Sequence, residues 1–256
     1  MKKSEGPELG MRLGMNADDI TVREVSSLTA AAHELKSPLA LMRQLALRLD
    51  AENITDEQRR LIQQITLTSE RALRLTSDLT RSARLGDIRD GSEVLFELEP
   101  INPEQLCRDI ATELAPLFEA HGRSLAVSHR THPLLLVANR DLLRRIIMNF
   151  SDNALHYSQP GTAVHMQIQA LTKAGTVRVG IRDFGPALSN DMWRALQKKL
   201  KHSPQTIHAR PQSSGLGLFI ASQFAEAMQG TIGATRHHDG ATFYVELQAS
   251  RQLSLL

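Results

Sequence analysis

The segment AAHELKSPLA (residues 31–40) places a histidine, His33, directly beside a carboxylate, Glu34. Apolar residues before and after this segment recur at alternating spacings of three and four, which is the heptad pattern of a helix packed in a coiled coil or bundle. His33 follows the seam residue Ala32, so it is predicted to point away from the tightest packing. Pro38 lacks an N–H and clashes with the carbonyl of Glu34, which predicts a kink at the His-Glu pair.

A second helix is predicted after the polar break DAEN at residues 50–53. Thr55 and Gln58 form a capping box at its start, and an apolar stripe follows that becomes more polar toward its C-terminal end. Two helices with one apolar stripe each bury those stripes best when two copies meet. Residues 18–86 are therefore predicted to be a helical hairpin that forms a homodimeric four-helix bundle, preceded by a loosely ordered arm over residues 1–17.

The rest of the chain alternates short strands and helices after a linker at residues 86–91. This pattern predicts an α+β domain over residues 92–250, with a largely antiparallel sheet and its helices on one face. The predicted strands cover residues 94–98, 124–129, 134–138, 162–173, 176–182, 231–236 and 241–248. The predicted helices cover residues 103–120, 140–157 and 216–228. Turns are expected at residues 132–133 and at the dipeptide Asp239-Gly240.

Composition excludes several classes of protein. The 256 residues carry 30 basic and 28 acidic side chains, a net charge of +2, which does not suggest a nucleic-acid partner. One cysteine, Cys107, rules out an internal disulfide framework and fits a reducing compartment. No apolar run approaches the roughly 20 residues that span a bilayer, so no membrane segment is expected. We expect a cytoplasmic protein, or the soluble part of a longer membrane receptor.

Two polar motifs lie where a pocket could form. Asn149 and Asn153 are four residues apart and therefore share one face of a predicted helix. Their amide oxygens suit Mg²⁺ bridging phosphates, although paired exposed asparagines are more often only solvated. Asp183 closes an apolar strand and is followed by Phe-Gly-Pro. Its carboxylate could accept a hydrogen bond from an amino group such as that of adenine, although Asp-x-Gly-Pro is also a common turn.

A third motif, SSGLGL at residues 213–218, opens a predicted helix. Glycines at such a position let backbone N–H groups approach phosphates, and a helix N-terminus favours anions. A lone Gly-x-Gly is weak evidence. The order and spacing of the three motifs are stronger evidence than any one of them.

From Val22 to Gln248 the chain resembles the transmitter core of a two-component sensor histidine kinase. HELKSPL at residues 33–39 is similar to the H box of that family, with His33 at the phosphoacceptor position. Residues 149–157 are similar to the N box, DFG at residues 183–185 to the first glycine box, and GLGL at residues 215–218 to the second.

This resemblance implies a dimerisation and phosphotransfer hairpin followed by an ATP-binding domain of the Bergerat (GHKL) type. It also implies that ATP phosphorylates His33, with Glu34 accepting the proton, and that the phosphoryl group then passes to an aspartate on the receiver domain of a response regulator. Mg²⁺ and phosphates would be held by Asn149 and Asn153, and the adenine amino group by Asp183. The implied ATP-binding residues are Asn149, Asn153, His156, Tyr157, Asp183, Gly185, Gly215, Leu216, Gly217 and Leu218.

Three positions depart from the pattern of the family. Ala187 replaces the second glycine of the first glycine box, and His156 stands where Lys or Arg is usual. Ser37 replaces the Thr or Asn that is usual in members that also dephosphorylate their partner. Residues 191–215 would form a basic lid over the nucleotide. These departures leave open a non-catalytic ATP-binding pseudokinase or scaffold, and a second alternative is another ATPase of the same pocket type, such as a chaperone or mismatch-repair relative.

Overall fold

The computed structural model describes residues 32, 35–49, 54–87, 97–129, 135–171, 174–187, 189–191, 193, 194, 196 and 216–250. The predicted N-terminal arm and most of the predicted lid lie outside these residues. The described chain consists of a helical hairpin and a C-terminal domain, residues 97–250. None of the helices within the described ranges is long and apolar enough to cross a membrane.

The hairpin consists of helix α1, residues 35–48, and the longer helix α2, Asp56–Asp87. The capping box forms as predicted: the backbone N–H of Thr55 donates to Gln58 Oε1 at 2.9 Å, and that of Gln58 donates to Thr55 Oγ1 at 3.2 Å. Of the predicted seam residues, Ala32 and Ala46 are buried within the single chain. Other apolar side chains of the hairpin are about half exposed; they are Leu35, Leu41, Met42, Leu45, Leu47, Leu49, Leu61 and Ile65.

The C-terminal domain is an α+β sandwich with two sheets. Antiparallel strands β1 and β3 form a small sheet, and the larger sheet has the order β2-β4-β5-β7-β6, in which only the pair β2-β4 is parallel. The strands are β1 Glu99–Ile101, β2 Ser124–His129, β3 Leu136–Ala138, β4 Ala163–Leu171, β5 Thr176–Arg182, β6 Thr231–His237 and β7 Gly240–Gln248. The helices are α3 Pro103–Ala120, α4 Arg140–Tyr157 and α5 Leu216–Ala227.

One face of the large sheet forms the core with the three helices. Alternate side chains of β4, β5 and β7 point into it, as the period of a strand requires, and Phe118, Phe150 and Phe224 are fully buried against them. Helices α3 and α4 start at asparagine caps: Asn102 Oδ1 accepts from two backbone N–H groups and Asn139 Oδ1 from one. Burial raises the pKa of the Cys107 thiol in this core to about 12, so it stays protonated.

The strands differ from the predicted pattern at three places. The strand predicted at residues 94–98 begins later, at Glu99, and residues 94–96 lie outside the described part of the chain. Strands β2 and β3 were predicted on either side of a turn at residues 132–133, which lie outside the described residues; they do not pair with each other, because β2 pairs with β4 and β3 with β1. The turn between β6 and β7 is His238-Asp239, and Gly240 already belongs to β7.

The C-terminal half of α2 packs against the C-terminal domain, where it contacts α5 and carries Leu75 and Leu79 onto the domain core. Its buried hydroxyl groups bond within the helix: Thr76 Oγ1 donates to the Ala72 carbonyl at 2.6 Å, and Thr80 Oγ1 to that of Thr76 at 2.9 Å. The polar end of the predicted stripe therefore faces the C-terminal domain.

Candidate functional site

Helix α4 presents Asn149 toward the start of α5. Asn149 is only 6% exposed, and its Nδ2 has no hydrogen-bond partner in the structure. A methyl group placed on Gly217 would lie 3.9 Å from both Cγ and Oδ1 of Asn149. The first and third polar motifs therefore meet, and they leave a buried amide donor there without a protein acceptor.

Asp183 follows the last residue of β5 and is held rigidly against β7. The carboxylate is 1% exposed. The backbone N–H of Asp183 donates to the Ala241 carbonyl at 2.9 Å, and the N–H of Ala241 donates to Asp183 Oδ1 at 3.1 Å. This pair of hydrogen bonds continues the β5–β7 ladder by one residue and fixes the orientation of the carboxylate.

The segment after Asp183 is joined to the C-terminal end of α4. The N–H of Gln159 donates to the Phe184 carbonyl at 2.9 Å, and the N–H of Phe184 to Ser158 Oγ at 3.3 Å. A methyl group on Gly185 would lie 2.2 Å from the Tyr157 carbonyl oxygen, so this position requires glycine. The N-box helix and the first glycine box thus form one continuous wall.

Replacing Gly240 by alanine is expected to destabilise the fold by about 3–4 kcal/mol, because two costs add at this position. Its φ of +137° disfavours any side chain, and the new methyl group would lie 2.3 Å from the Asp183 carbonyl oxygen and 2.6 Å from Asp183 Oδ1. Urea unfolding measures the loss of stability, and nucleotide titration measures the displacement of Asp183.

Gly122→Ala is the matched control for this substitution. Gly122 also has a positive φ, +66°, but a methyl group there would meet nothing within 4 Å. The control should lose only about 1–2 kcal/mol of stability, from the unfavourable backbone conformation of alanine, and it should keep its nucleotide affinity. Equal losses for the two variants would show that the contact of Gly240 with Asp183 does not matter.

The other predicted site residues are placed unevenly. His33, Glu34 and Gly215 lie outside the described residues, and Ser37 is exposed on α1. His156 is exposed, with its ring edge-on to that of Tyr157 at a centroid distance of 4.8 Å. The remaining three are Asn153 and Leu216, which are half-buried, and Leu218, whose side chain lies in the core.

Asp152, which lies between the two predicted asparagines, was not predicted to have a role. Its carboxylate turns toward α2, where Arg74 Nη2 lies 3.3 Å from both oxygens and Arg71 Nε lies 3.9 Å from Oδ2. Farther along, Arg145 of α4 forms an ion pair with Asp78 of α2. Burial raises the pKa of Asp78 despite the neighbouring Arg145 guanidinium. The sequence did contain one indication of this contact, because two arginines, Arg71 and Arg74, lie one turn apart on α2.

Comparison with known proteins identifies the C-terminal domain. Residues 138–251 match the family model described as histidine kinase-, DNA gyrase B- and HSP90-like ATPase. The sensor histidine kinase GacS of Pseudomonas protegens is 26% identical over 226 residues, which cover 86% of this chain and 24% of that protein. The sensor protein kinase PmrB of Pseudomonas aeruginosa is 29% identical over 220 residues, which cover 85% of this chain and 43% of that protein.

A solved structure has a similar fold. Full-length ShkA in complex with AMPPNP has a TM-score of 0.63 and 26% identity, and the match covers 90% of this chain and 47% of that one. The present chain spans about a quarter to a half of the length of these relatives. The similarity of this chain to that ATPase family and to sensor histidine kinases therefore rests on both sequence and fold.

Proposed function

We propose that this chain, which resembles sensor histidine kinases and carries their type of ATPase domain over residues 138–251, is a catalytic transmitter core. It transfers the γ-phosphate of ATP to His33 and then to an aspartate on the receiver domain of a response regulator. The phosphoramidate bond forms between an imidazole nitrogen and phosphorus as the bond to the β,γ-bridging oxygen breaks. ADP leaves, and the imidazole proton passes to Glu34.

The observation that carries this proposal is the buried amide of Asn149 facing Gly217. A buried donor without a protein partner is costly, and a bound phosphate oxygen would satisfy it. In the described part of the chain, no cluster of three or more His, Cys, Asp or Glu side chains could hold a metal. The asparagine oxygens nevertheless fit Mg²⁺, which keeps waters and phosphate oxygens among its ligands and needs few protein groups.

Each pocket residue then has a role. Asn149 and Asn153 hold Mg²⁺ and the phosphates, and the fixed carboxylate of Asp183 accepts a hydrogen bond from the adenine amino group. Mg²⁺ supplies charge neutralisation at the transferring phosphoryl group. The wall formed by Tyr157 and Gly185 excludes water from one side of the nucleotide. Residues 215–218 close on the phosphates through backbone N–H groups.

Dimerisation through residues 18–86 is supported by the surface of the hairpin. Eight of its apolar side chains are between 46% and 58% exposed in the single chain: Leu35, Leu41, Met42, Leu45, Leu47, Leu49, Leu61 and Ile65. Several exposed apolar side chains on a helical pair are characteristic of an interaction site, and a second copy offers the same side chains. The homodimeric four-helix bundle remains our explanation for that exposure.

The alternative is a non-catalytic ATP-binding pseudokinase or scaffold, which Ala187 and His156 favour. An alanine stiffens a hinge where glycine moves freely, and a neutral histidine helps a phosphate less than a permanent cation does. The intact pair of asparagines and the intact His33-Glu34 pair favour catalysis. A chaperone or mismatch-repair ATPase is disfavoured because neither requires a heptad hairpin with a His-Glu pair.

Incubation of the intact chain with γ-³²P-labelled ATP and Mg²⁺ tests the proposal. A kinase should incorporate label that is lost in acid and survives alkali, which is the stability of a phosphoramidate. The pseudokinase should bind nucleotide, measured by fluorescent-analogue displacement, without incorporating label. Acid-stable label would indicate a hydroxyl acceptor and would contradict the assignment to histidine.

A further inference from the structure

A polar cavity of about 210 Å³ lies between α2, the C-terminal end of α3 and the last turns of α4. It belongs to the junction between the hairpin and the C-terminal domain. Its chemistry comes from six side chains of the described residues, namely Arg71, Arg74, His121, Arg123, Asp152 and His156. Five of the six carry basic nitrogen groups.

Positive charge exceeds negative charge in this cavity. Asp152 is the single carboxylate among its described lining residues, and three guanidinium groups line the same cavity. Arg74 lies 3.3 Å from both Asp152 oxygens, whereas Arg71 Nε approaches only to 3.9 Å and has no hydrogen-bond partner although it is buried. Arg71 therefore contributes a charge and a donor that Asp152 does not satisfy.

Arg123 is a further cation of the cavity, and no carboxylate of the described residues pairs with it. Its Nε and Nη2 donate to the Ser158 carbonyl and its Nη1 to the His121 carbonyl, with Nε and Nη1 both at 2.9 Å. These bonds hold the guanidinium at the cavity wall but leave its charge uncompensated. Burial lowers the pKa of Arg123, which is the expected response of a cation that lacks a partner.

We propose that this cavity binds a tetrahedral oxyanion, inorganic phosphate or a phosphate monoester group, between the hairpin and the C-terminal domain. Guanidinium groups match phosphate oxygens in paired hydrogen bonds, and such charge-assisted bonds are the strong ones. A water molecule takes about 30 Å³ of liquid volume, so the cavity has room for a phosphate with its remaining waters.

The oxyanion site lies on a different face of α4 from Asn149, and His156 is the one implied ATP-binding residue that also lines it. Asn149 faces Gly217 at the start of α5, whereas Asp152 and Leu155 of the same helix face the hairpin. A bound oxyanion would contact Arg71 from α2 and Arg123 from the C-terminal domain at once. It would therefore hold α2 against α4, and this binding does not depend on histidine phosphorylation.

Thermal unfolding of the intact chain in sodium phosphate, compared with sodium chloride at equal ionic strength and pH 7.5, tests the site. The midpoint should rise by about 3–5 °C when phosphate exceeds its Kd tenfold. Arg71→Gln should weaken phosphate binding about tenfold or more, and Arg71→Lys, which keeps the charge but not the paired geometry, should weaken it less. Equal midpoints in phosphate and chloride would overturn the proposal.

Arg108→Gln is the matched control, because it removes the same charge from an exposed pair with Glu104 on α3. It should keep the phosphate response of the wild type. Asn149→Ala separates the two possible sources of phosphate binding: the response should persist in this variant. If Asn149→Ala removes the response while Arg71→Gln keeps it, the phosphate occupies the nucleotide pocket and the oxyanion site is rejected.

Discussion

His33→Gln is expected to abolish the acid-labile label that the wild-type chain incorporates from γ-labelled ATP, to below about one hundredth of its level. A neutral imidazole has a nitrogen lone pair that can attack phosphorus. The lone pair of the glutamine amide nitrogen is delocalised into its carbonyl and cannot. Phosphoimaging after alkaline gel electrophoresis measures the incorporated label.

The same variant should bind nucleotide with wild-type affinity, because every pocket residue proposed for ATP lies in the C-terminal domain. Glu34→Gln provides a graded companion: loss of a general base should slow labelling about 100-fold without removing the acceptor. Undiminished labelling of His33→Gln would rule out His33 as the acceptor. Loss of nucleotide binding in that variant would instead point to a structural role.

Features that depend on neighbouring residues were predicted correctly. The capping box of Thr55 and Gln58 forms because its two hydrogen bonds join residues three apart, so the local sequence suffices. The strands predicted at residues 162–173 and 176–182 form the hairpin of β4 and β5, because their alternating apolar residues lie within one short segment. Helix α4 covers the predicted residues 140–157 because its amphipathic pattern is local as well.

Features that depend on distant partners were not predicted. Strand β2 pairs in parallel with β4, which begins more than 30 residues after it, and no turn signal specifies such a pairing. The polar residues at the C-terminal end of the α2 stripe could not be interpreted without the C-terminal domain on which they pack. Arg74 and Asp152, which are 78 residues apart, meet only because α2 packs on the C-terminal domain. The oxyanion cavity depends on that same packing.

Packing of α2 on the C-terminal domain also places a constraint on the proposed reaction. Leu75 and Leu79 contact the domain core, and Asp78 and Asp152 form ion pairs across the junction. The C-terminal domain is held against the C-terminal half of α2. It therefore has to shift along the hairpin, or rotate, before it can deliver a phosphoryl group to His33. Such movement has to separate the ion pairs of Asp78 and Asp152, whose carboxylates are buried in the junction.

Asp183→Asn is expected to raise the Kd for ATP about 100-fold, close to 3 kcal/mol, while leaving the fold intact. The substituted oxygen must stay toward the Ala241 N–H, which now donates to Asp183 Oδ1 at 3.1 Å. The new NH₂ group must therefore face the pocket. It would meet the adenine amino group, so two buried donors would oppose each other where the wild type has a donor and an acceptor.

Asp239→Asn is the matched control for that change. Asp239 lies in the turn between β6 and β7, its side chain is 40% exposed, and it pairs with Arg182. The control should bind ATP as the wild type does. Wild-type affinity in Asp183→Asn would show that the carboxylate does not contact the base, whereas a loss of equal size in both variants would indicate general damage to this end of the sheet.

Inosine triphosphate distinguishes recognition of the base from a change in stability. It carries a carbonyl in place of the adenine amino group, and that carbonyl accepts a hydrogen bond from the asparagine NH₂ but repels the aspartate carboxylate. The wild type should therefore prefer ATP, and Asp183→Asn should narrow or reverse that preference in competition with a fluorescent nucleotide. A variant that was merely destabilised would lose affinity for both nucleotides in parallel, so a changed ratio can come only from contact between residue 183 and the base.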